Sequence, residues 1–189
     1  MIDTAKHISE VFNEDCMIGM ARYPDKYFDL AVVDPPYGIG KFTCELRTDV
    51  NGIRRKNKKT YGDDYTWNEE IPNIDYFDEI KRVSKHQLVW GANYYNCFDD
   101  GGGLVWYKGD GTTTVSRCEI ASLSWGVKVD YCFINWQAGF YRKIKEGEQI
   151  HPCQKPVALY DWIYKNYLPQ GGRVIDTHLG SGSNRDGCL

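Results

Sequence analysis

The stretch Phe28-Asp-Leu-Ala-Val-Val-Asp34-Pro-Pro-Tyr37 decides how the rest of the chain is read. Its short β-branched run reads as a buried strand. Pro35 and Pro36 cannot continue a hydrogen-bonded ladder, so the strand stops at a rigid turn with Asp34 at its end. Working outward, Ile74, Phe77, Ile80 and Val83 recur at helical spacing, before a strand-like Gln87-Leu-Val-Trp90. Gly101-Gly102-Gly103 separates that unit from Leu104-Val-Trp-Tyr107, and Tyr131 to Trp136 is a further aromatic strand candidate. Pro156 suits the first position of a helix, carried by Val157, Tyr160, Ile163, Tyr164 and Tyr167 and stopped by Gly171-Gly172. Arg173 to Thr177 reads as a strand, and Gly180-Ser-Gly182 as a tight turn. Strands alternating with helices predict an α/β fold with a mostly parallel central sheet. Two strands that end in Asp-bearing loops predict a site at the carboxyl edge of that sheet.

The chain has 189 residues, enough for a single domain over 1–189. At 42% hydrophobic and 26% charged, its composition excludes a wholly disordered or fibrous chain. Apolar runs such as Leu30 to Val33 fall far short of the ~20 residues of a membrane span, and the first residues carry no signal-peptide core, so no membrane partner and a cytoplasmic location are expected. The seven cysteines stand singly, without a C-x-x-C pair, and predict neither a disulfide framework nor a metal centre. A net charge of −3 gives no global basic signature, so a nucleic-acid contact must be local. One basic patch exists: Arg47, Arg54, Arg55, Lys56, Lys58 and Lys59 stand against the single acid Asp49. It lies in the glycine-bearing stretch 38–68, which reads as a long mobile loop; as a solvated charged loop it needs no ligand, and as a DNA contact it would meet phosphates.

Three segments carry candidate chemistry, and each also has a plain structural reading. Asp34-Pro35-Pro36-Tyr37 is either a turn that closes a strand or a carboxylate, a carbonyl and an aromatic face converging on one point. The second arrangement suits an exocyclic amino group, whose lone pair is delocalised into its ring until acceptors on its hydrogens localise it. Asp176-Thr-His-Leu-Gly180-Ser181-Gly182 is either a turn or a loop whose backbone N–H groups approach an anion while Asp176 faces a cation. His151-Pro-Cys-Gln154-Lys155-Pro156 is either a polar loop or part of the same site.

In this order, the three segments resemble the β class of S-adenosylmethionine-dependent DNA amino-methyltransferases, in which D-P-P-Y precedes a late H-P-x-Q-K-P segment and a D-P-F-x-G-S-G loop. The resemblance runs from Asn13-Glu-Asp-Cys16 through Trp106-Tyr-Lys-Gly109 to Ser183. It implies a Rossmann-like methyltransferase fold with circularly permuted motif order, S-adenosylmethionine as cofactor, DNA as partner and a homodimer. It implies that Asp34 and the Pro35 carbonyl bind the target amino group, within a catalytic Asp34-Pro35-Pro36-Tyr37, and that Tyr37 stacks on a flipped base. It also implies that His151, Gln154, Lys155, Pro156, Asp176, Gly180, Ser181 and Gly182 form the cofactor site. Asp at the first tetrapeptide position points to adenine-N6 over cytosine-N4, and 108–150 becomes the expected target-recognition region.

The sequence departs from the family in two places. Thr177-His178 replaces the usual Pro-Phe. Family members also continue with a helix and a further strand, whereas this chain ends at Leu189, so a domain shortened at its C-terminus, with a missing unit and an exposed sheet edge prone to self-association, is expected. A catalytically dead remnant that only binds DNA through the basic loop is the alternative from another class. Pro152-Cys153-Gln154 is also the nucleophile tripeptide of cytosine-C5 methyltransferases, but those enzymes carry the cofactor loop first and lack D-P-P-Y, so Cys153 reads as non-catalytic.

Overall fold

The computed structural model of the chain describes residues 9–39, 68–95, 102–109, 116–136, 151 and 153–188. Among them six strands form one sheet: β1 (Phe28–Val33), β2 (Ser84–Trp90), β3 (Gly102–Tyr107), β4 (Cys118–Leu123), β5 (Val129–Phe133) and β6 (Val174–Ile175). The helices are α1 (Cys16–Met20), α2 (Ile74–Val83), α3 (Ala92–Tyr95), α4 (Val157–Tyr167) and α5 (Ser183–Asp186). The strand order is β5-β3-β4-β2-β1-β6. β1 pairs in parallel with β2 and β6, and β3 with β5, whereas β4 runs antiparallel to both β2 and β3. Five strands therefore point one way and β4 the other, which makes the expected mostly parallel sheet a mixed one.

The apolar run of β1 is explained by cover on both faces. Leu30 and Val32 pack with Leu159, Tyr160 and Ile163 of α4 on one face, while Ala31 and Val33 pack with Tyr76, Ile80 and Val83 of α2 on the other. α2 begins where the Asn73 side chain accepts the Tyr76 N–H at 3.1 Å, the usual way to satisfy a free amide at a helix start. Its buried face is not the one predicted. Ile74 is 69% exposed and Tyr76 is buried, because Tyr76 lies one turn before Ile80 and sends its hydroxyl across to the end of β6.

Further differences from the sequence reading have local causes. Pro156 caps α4 with an extended backbone (ψ 144°) instead of opening its first turn. Gly102 and Gly103 belong to β3; a Cβ on Gly102 would lie 2.6 Å from the Leu123 carbonyl, so the missing side chain is what lets β4 close on β3. β6 is only two residues long and leaves the Val32 carbonyl to be satisfied by the Asn184 side chain of α5, at 2.9 Å. Gly187 allows that approach, since a Cβ there would meet the Tyr160 Cβ at 2.6 Å. Among the described residues no helix is long and apolar enough to cross a membrane.

Candidate active site at the carboxyl edge of the sheet

β1, β2, β3 and β6 end at one edge of the sheet, and the reversed β4 begins there. This edge gathers Asp34 after β1, Gly91 to Tyr95 after β2, Lys108 after β3, Glu119 in β4 and Asp176 to Gly182 after β6. The segment before α4 adds His151, Cys153 and Lys155. A cleft of about 250 Å3 opens between the ends of β1 and β6 and the segment before α4, lined by Asp34, His151, Lys155, Tyr160, His178 and Ser181 among others. Segments separated by more than a hundred residues in sequence thus meet in one place.

Both Asp34 oxygens are engaged. Oδ1 accepts from the Tyr37 hydroxyl at 2.5 Å, and Oδ2 accepts from the Lys155 ammonium, which lies 3.5 Å from the Tyr37 hydroxyl oxygen. Lys155 is buried, with 4% of its side chain exposed, and carries a second carboxylate neighbour, Glu119. Burial alone would strip its charge, but Asp34 and Glu119 outweigh that and hold its pKa above the ordinary lysine range. Burial and the Asp34 charge push the Tyr37 phenol far up, so it remains a hydrogen-bond donor.

The turn after Asp34 is held from two sides. The Tyr95 hydroxyl donates to the carbonyls of Pro35 at 2.5 Å and Pro36 at 2.9 Å, and the Tyr37 N–H donates to the Asn68 side chain at 2.8 Å. Tyr37 stacks on Tyr94, with ring centroids 4.8 Å apart and planes 14° from parallel. Gly91 makes this packing possible: it sits at φ +76°, and a Cβ there would lie 2.3 Å from a Tyr37 ring carbon.

On the β6 side, Asp176 accepts the His178 N–H at 2.9 Å. Loss of hydration pushes its carboxyl up to about 6, against the pull of that N–H. His178 is driven down to about 4 by burial, and its Nδ1 shares the hydroxyls of Thr177 at 2.9 Å and Tyr76 at 3.3 Å. Thr177-His178 is thus tied to α2 through Tyr76. Gly180 and Gly182 both adopt positive φ, 53° and 79°, and the Ser181 and Ser183 hydroxyls meet at 2.9 Å.

The structure brings Asp34, Pro36, His151, Lys155, Gly180 and Ser181 onto the cleft wall. Lys155 turns its ammonium onto Asp34, and Pro35 offers a carbonyl already met by Tyr95. Gln154 contributes its main chain, accepting the Trp136 indole N–H at 3.1 Å, while Pro156 is buried at the head of α4. Cys153 borders the cleft with its thiol pushed up to about 11 by burial, which keeps it protonated near neutrality. Arg47, Arg54, Arg55, Lys56, Lys58 and Lys59 lie outside the described residues. The sequence reading missed Gly91, Tyr94, Tyr95, Lys108 and Glu119. Only two of these carried a signal: Gly91 closes a strand as Gly180 follows one, and Lys108 stands in the Trp106-Tyr-Lys-Gly109 stretch. Among the described residues no group of three or more His, Cys, Asp or Glu is arranged to hold a metal ion.

Searches against protein-family models and against curated proteins give no match for this chain. The class defined by fold and edge is an α/β protein with a mixed six-stranded sheet and a cleft at its carboxyl edge that mixes charged and apolar side chains.

Proposed function

We propose that this chain is a DNA amino-methyltransferase of the β-class pattern, with a Rossmann-like fold, that modifies the exocyclic amino group of adenine. One observation carries the reading: Asp34 and Pro36 of the D-P-P-Y turn, His151 and Lys155 of the segment before α4, and Gly180 and Ser181 of the loop after β6 line a single cleft despite their separation in sequence. The residues present fit S-adenosylmethionine. Asp34 on the cleft wall supplies a carboxylate for a cationic sulfonium, Gly180 leaves backbone exposed beside it, and the cleft of about 250 Å3 is of a size for the methionine end of the ligand. When bound, the cofactor supplies an electrophilic methyl group.

The chain's own residues do the remaining work. Asp34 accepts an N–H of the target amino group and draws electron density onto its nitrogen, while Tyr37 and Lys155 set the rotation and charge of that carboxylate. The Pro35 carbonyl, which has a second lone pair beside the Tyr95 bond, takes the other N–H. The Tyr37–Tyr94 pair, whose outer member is 44% exposed, provides an aromatic platform for a flipped base. Once the nitrogen carries the methyl group it must lose a proton, and Asp34 is the nearest acceptor. Cys153 stays a thiol and takes no part.

The test is incubation of the purified chain with labelled S-adenosylmethionine and mixed-sequence duplex DNA, followed by digestion and separation of nucleosides. Label in N6-methyladenosine supports the proposal. Label in N4-methylcytidine keeps the mechanism and changes the base. No label from a folded chain overturns it, and a gel-shift assay then asks whether the chain only binds DNA.

A further inference from the structure

Beside the cleft but outside its lining, two more charged side chains continue the line begun by Asp34 and Lys155. Glu119 sits in β4 opposite Trp106, and Lys108 follows β3. The Lys108 ammonium donates to Glu119 Oε1, and Glu119 Oε2 meets Lys155 Nζ at 3.3 Å, within ion-pair reach but without full hydrogen-bond geometry. Each ammonium also lies over an indole: Lys108 is 4.8 Å from the Trp106 ring centroid and Lys155 is 5.3 Å from that of Trp90. The four groups alternate in sign, Asp34, Lys155, Glu119, Lys108, and sum to zero. Burial opposes the charge on Glu119, and the two lysines more than offset it, holding its carboxyl below the usual range.

Two carboxylates on one buried lysine are one more than a single ion pair requires. Taking charges out of water is costly, and a third buried charge adds to that cost. The surplus partner has a use if Asp34 must release Lys155. The ammonium has three N–H donors, and a target amino group arriving at Asp34 competes with it for Oδ2. With Glu119 alone on its far side, Lys155 exchanges one carboxylate for the other without ever being left unpaired.

We propose that Glu119, held by Lys108, is a positioning residue that receives Lys155 when Asp34 takes up the target amino group. This rests on the methyl-transfer reading for the role of Asp34, whereas the coupling of Glu119 to Lys155 does not depend on it. No bond is made or broken in the exchange; one N–H···O contact lengthens as another shortens.

The test uses the full chain and two readouts. The first is the titration of Lys155 followed by NMR on protein labelled at lysine Cε, with the signal assigned by its loss in Lys155→Arg. In Glu119→Gln the Lys155 transition moves to lower pH than in the wild type, because a negative neighbour is gone. The second is steady-state methyl transfer, where Glu119→Gln lowers kcat roughly tenfold with little change in the KM for S-adenosylmethionine, and Glu119→Asp recovers part of the loss. If Glu119→Gln does not fold, Glu119→Gln with Lys108→Met removes one charge of each sign, preserves neutrality and gives the same two expectations. A Lys155 titration that does not move overturns the inference whether or not the chain methylates DNA. A titration that moves with an unchanged kcat also overturns it, since Glu119 then only tunes a charge. A wild type that transfers no methyl group while the titration shifts as expected defeats the function proposed above and leaves the Glu119–Lys155 coupling standing.

Discussion

The two ends of the same parallel strands carry charges in opposite ways. At the amino edge, Arg82 bonds Glu79 and Asp25 at 2.6 and 2.9 Å, and Lys85 bonds Asp29 at 2.7 Å, with Asp25 and Lys85 open to water. These contacts tie α2 to the loop before β1: Arg82 also donates to the carbonyls of Tyr23 and Met20. At the carboxyl edge, Lys155 is nearly sealed between two carboxylates and faces a cleft. Exposed pairs contribute about 0–1 kcal/mol each, whereas buried ones are costly to assemble and more costly to break. Charge at the amino edge thus stands open to water in separate pairs, whereas charge at the carboxyl edge is buried in a connected line beside the cleft. Perturbed groups cluster at the second edge, Asp176 moved up to about 6 and His178 down to about 4, as functional sites tend to show.

The sharpest way to break this contrast is Asp34→Asn, which keeps shape and removes the acceptor charge. Initial rates of methyl transfer should fall by on the order of 10²- to 10⁴-fold while circular dichroism stays unchanged. Lys155→Met comes next: it leaves Asp34 without its cation, and Glu119 with Lys108 alone, and should cost about 3–5 kcal/mol in urea unfolding. Gly91→Ala should destabilise by about 1–3 kcal/mol from overpacking against Tyr37, in addition to its left-handed backbone, and should slow transfer. Gly171→Ala is its control, since Gly171 has a similar φ of +72° with open space around it and meets only the backbone penalty.

The pH dependence gives a smaller and more diagnostic effect. His178 has a lowered pKa when folded, so it favours folding above its unfolded value of 6.5 and opposes it as pH falls toward about 4. Asp176 has a raised pKa, so it costs stability above about 6 and ceases to do so as pH falls through 6 toward 3.8. The two slopes oppose each other. Melting between pH 7 and 4 should therefore show His178→Phe gaining stability relative to the wild type as pH falls, and Asp176→Asn losing it. Lys85→Met, at the amino edge, should change stability by less than about 1 kcal/mol and leave transfer untouched.

What the sequence made legible follows from which forces are local. The β1 run, the helix before β2 and the apolar face of α4 are written in neighbouring residues, and the strand ends at Asp34 and Asp176 pointed to the edge where the cleft opens. β4 was not legible, because Cys118-Glu-Ile-Ala-Ser-Leu123 has neither a β-branched run nor strict alternation and is stabilised by its two partners. Tyr76 was passed over for Ile74 because its burial depends on a hydroxyl contact with Thr177, 101 residues away. Glu119 and Lys108 escaped for the same reason. A lone acid in a short strand has no pattern, and its meaning comes from Lys155, which a sheet crossover brings to it.

The most direct measurement is amide hydrogen exchange with and without S-adenosylmethionine. The account predicts added protection at His151 and 153–156 and at 176–183, with residues 79–85 at the amino edge unchanged. Unchanged exchange around the cleft at saturating cofactor, or protection at the amino edge instead, would contradict the assignment of the carboxyl edge as the site.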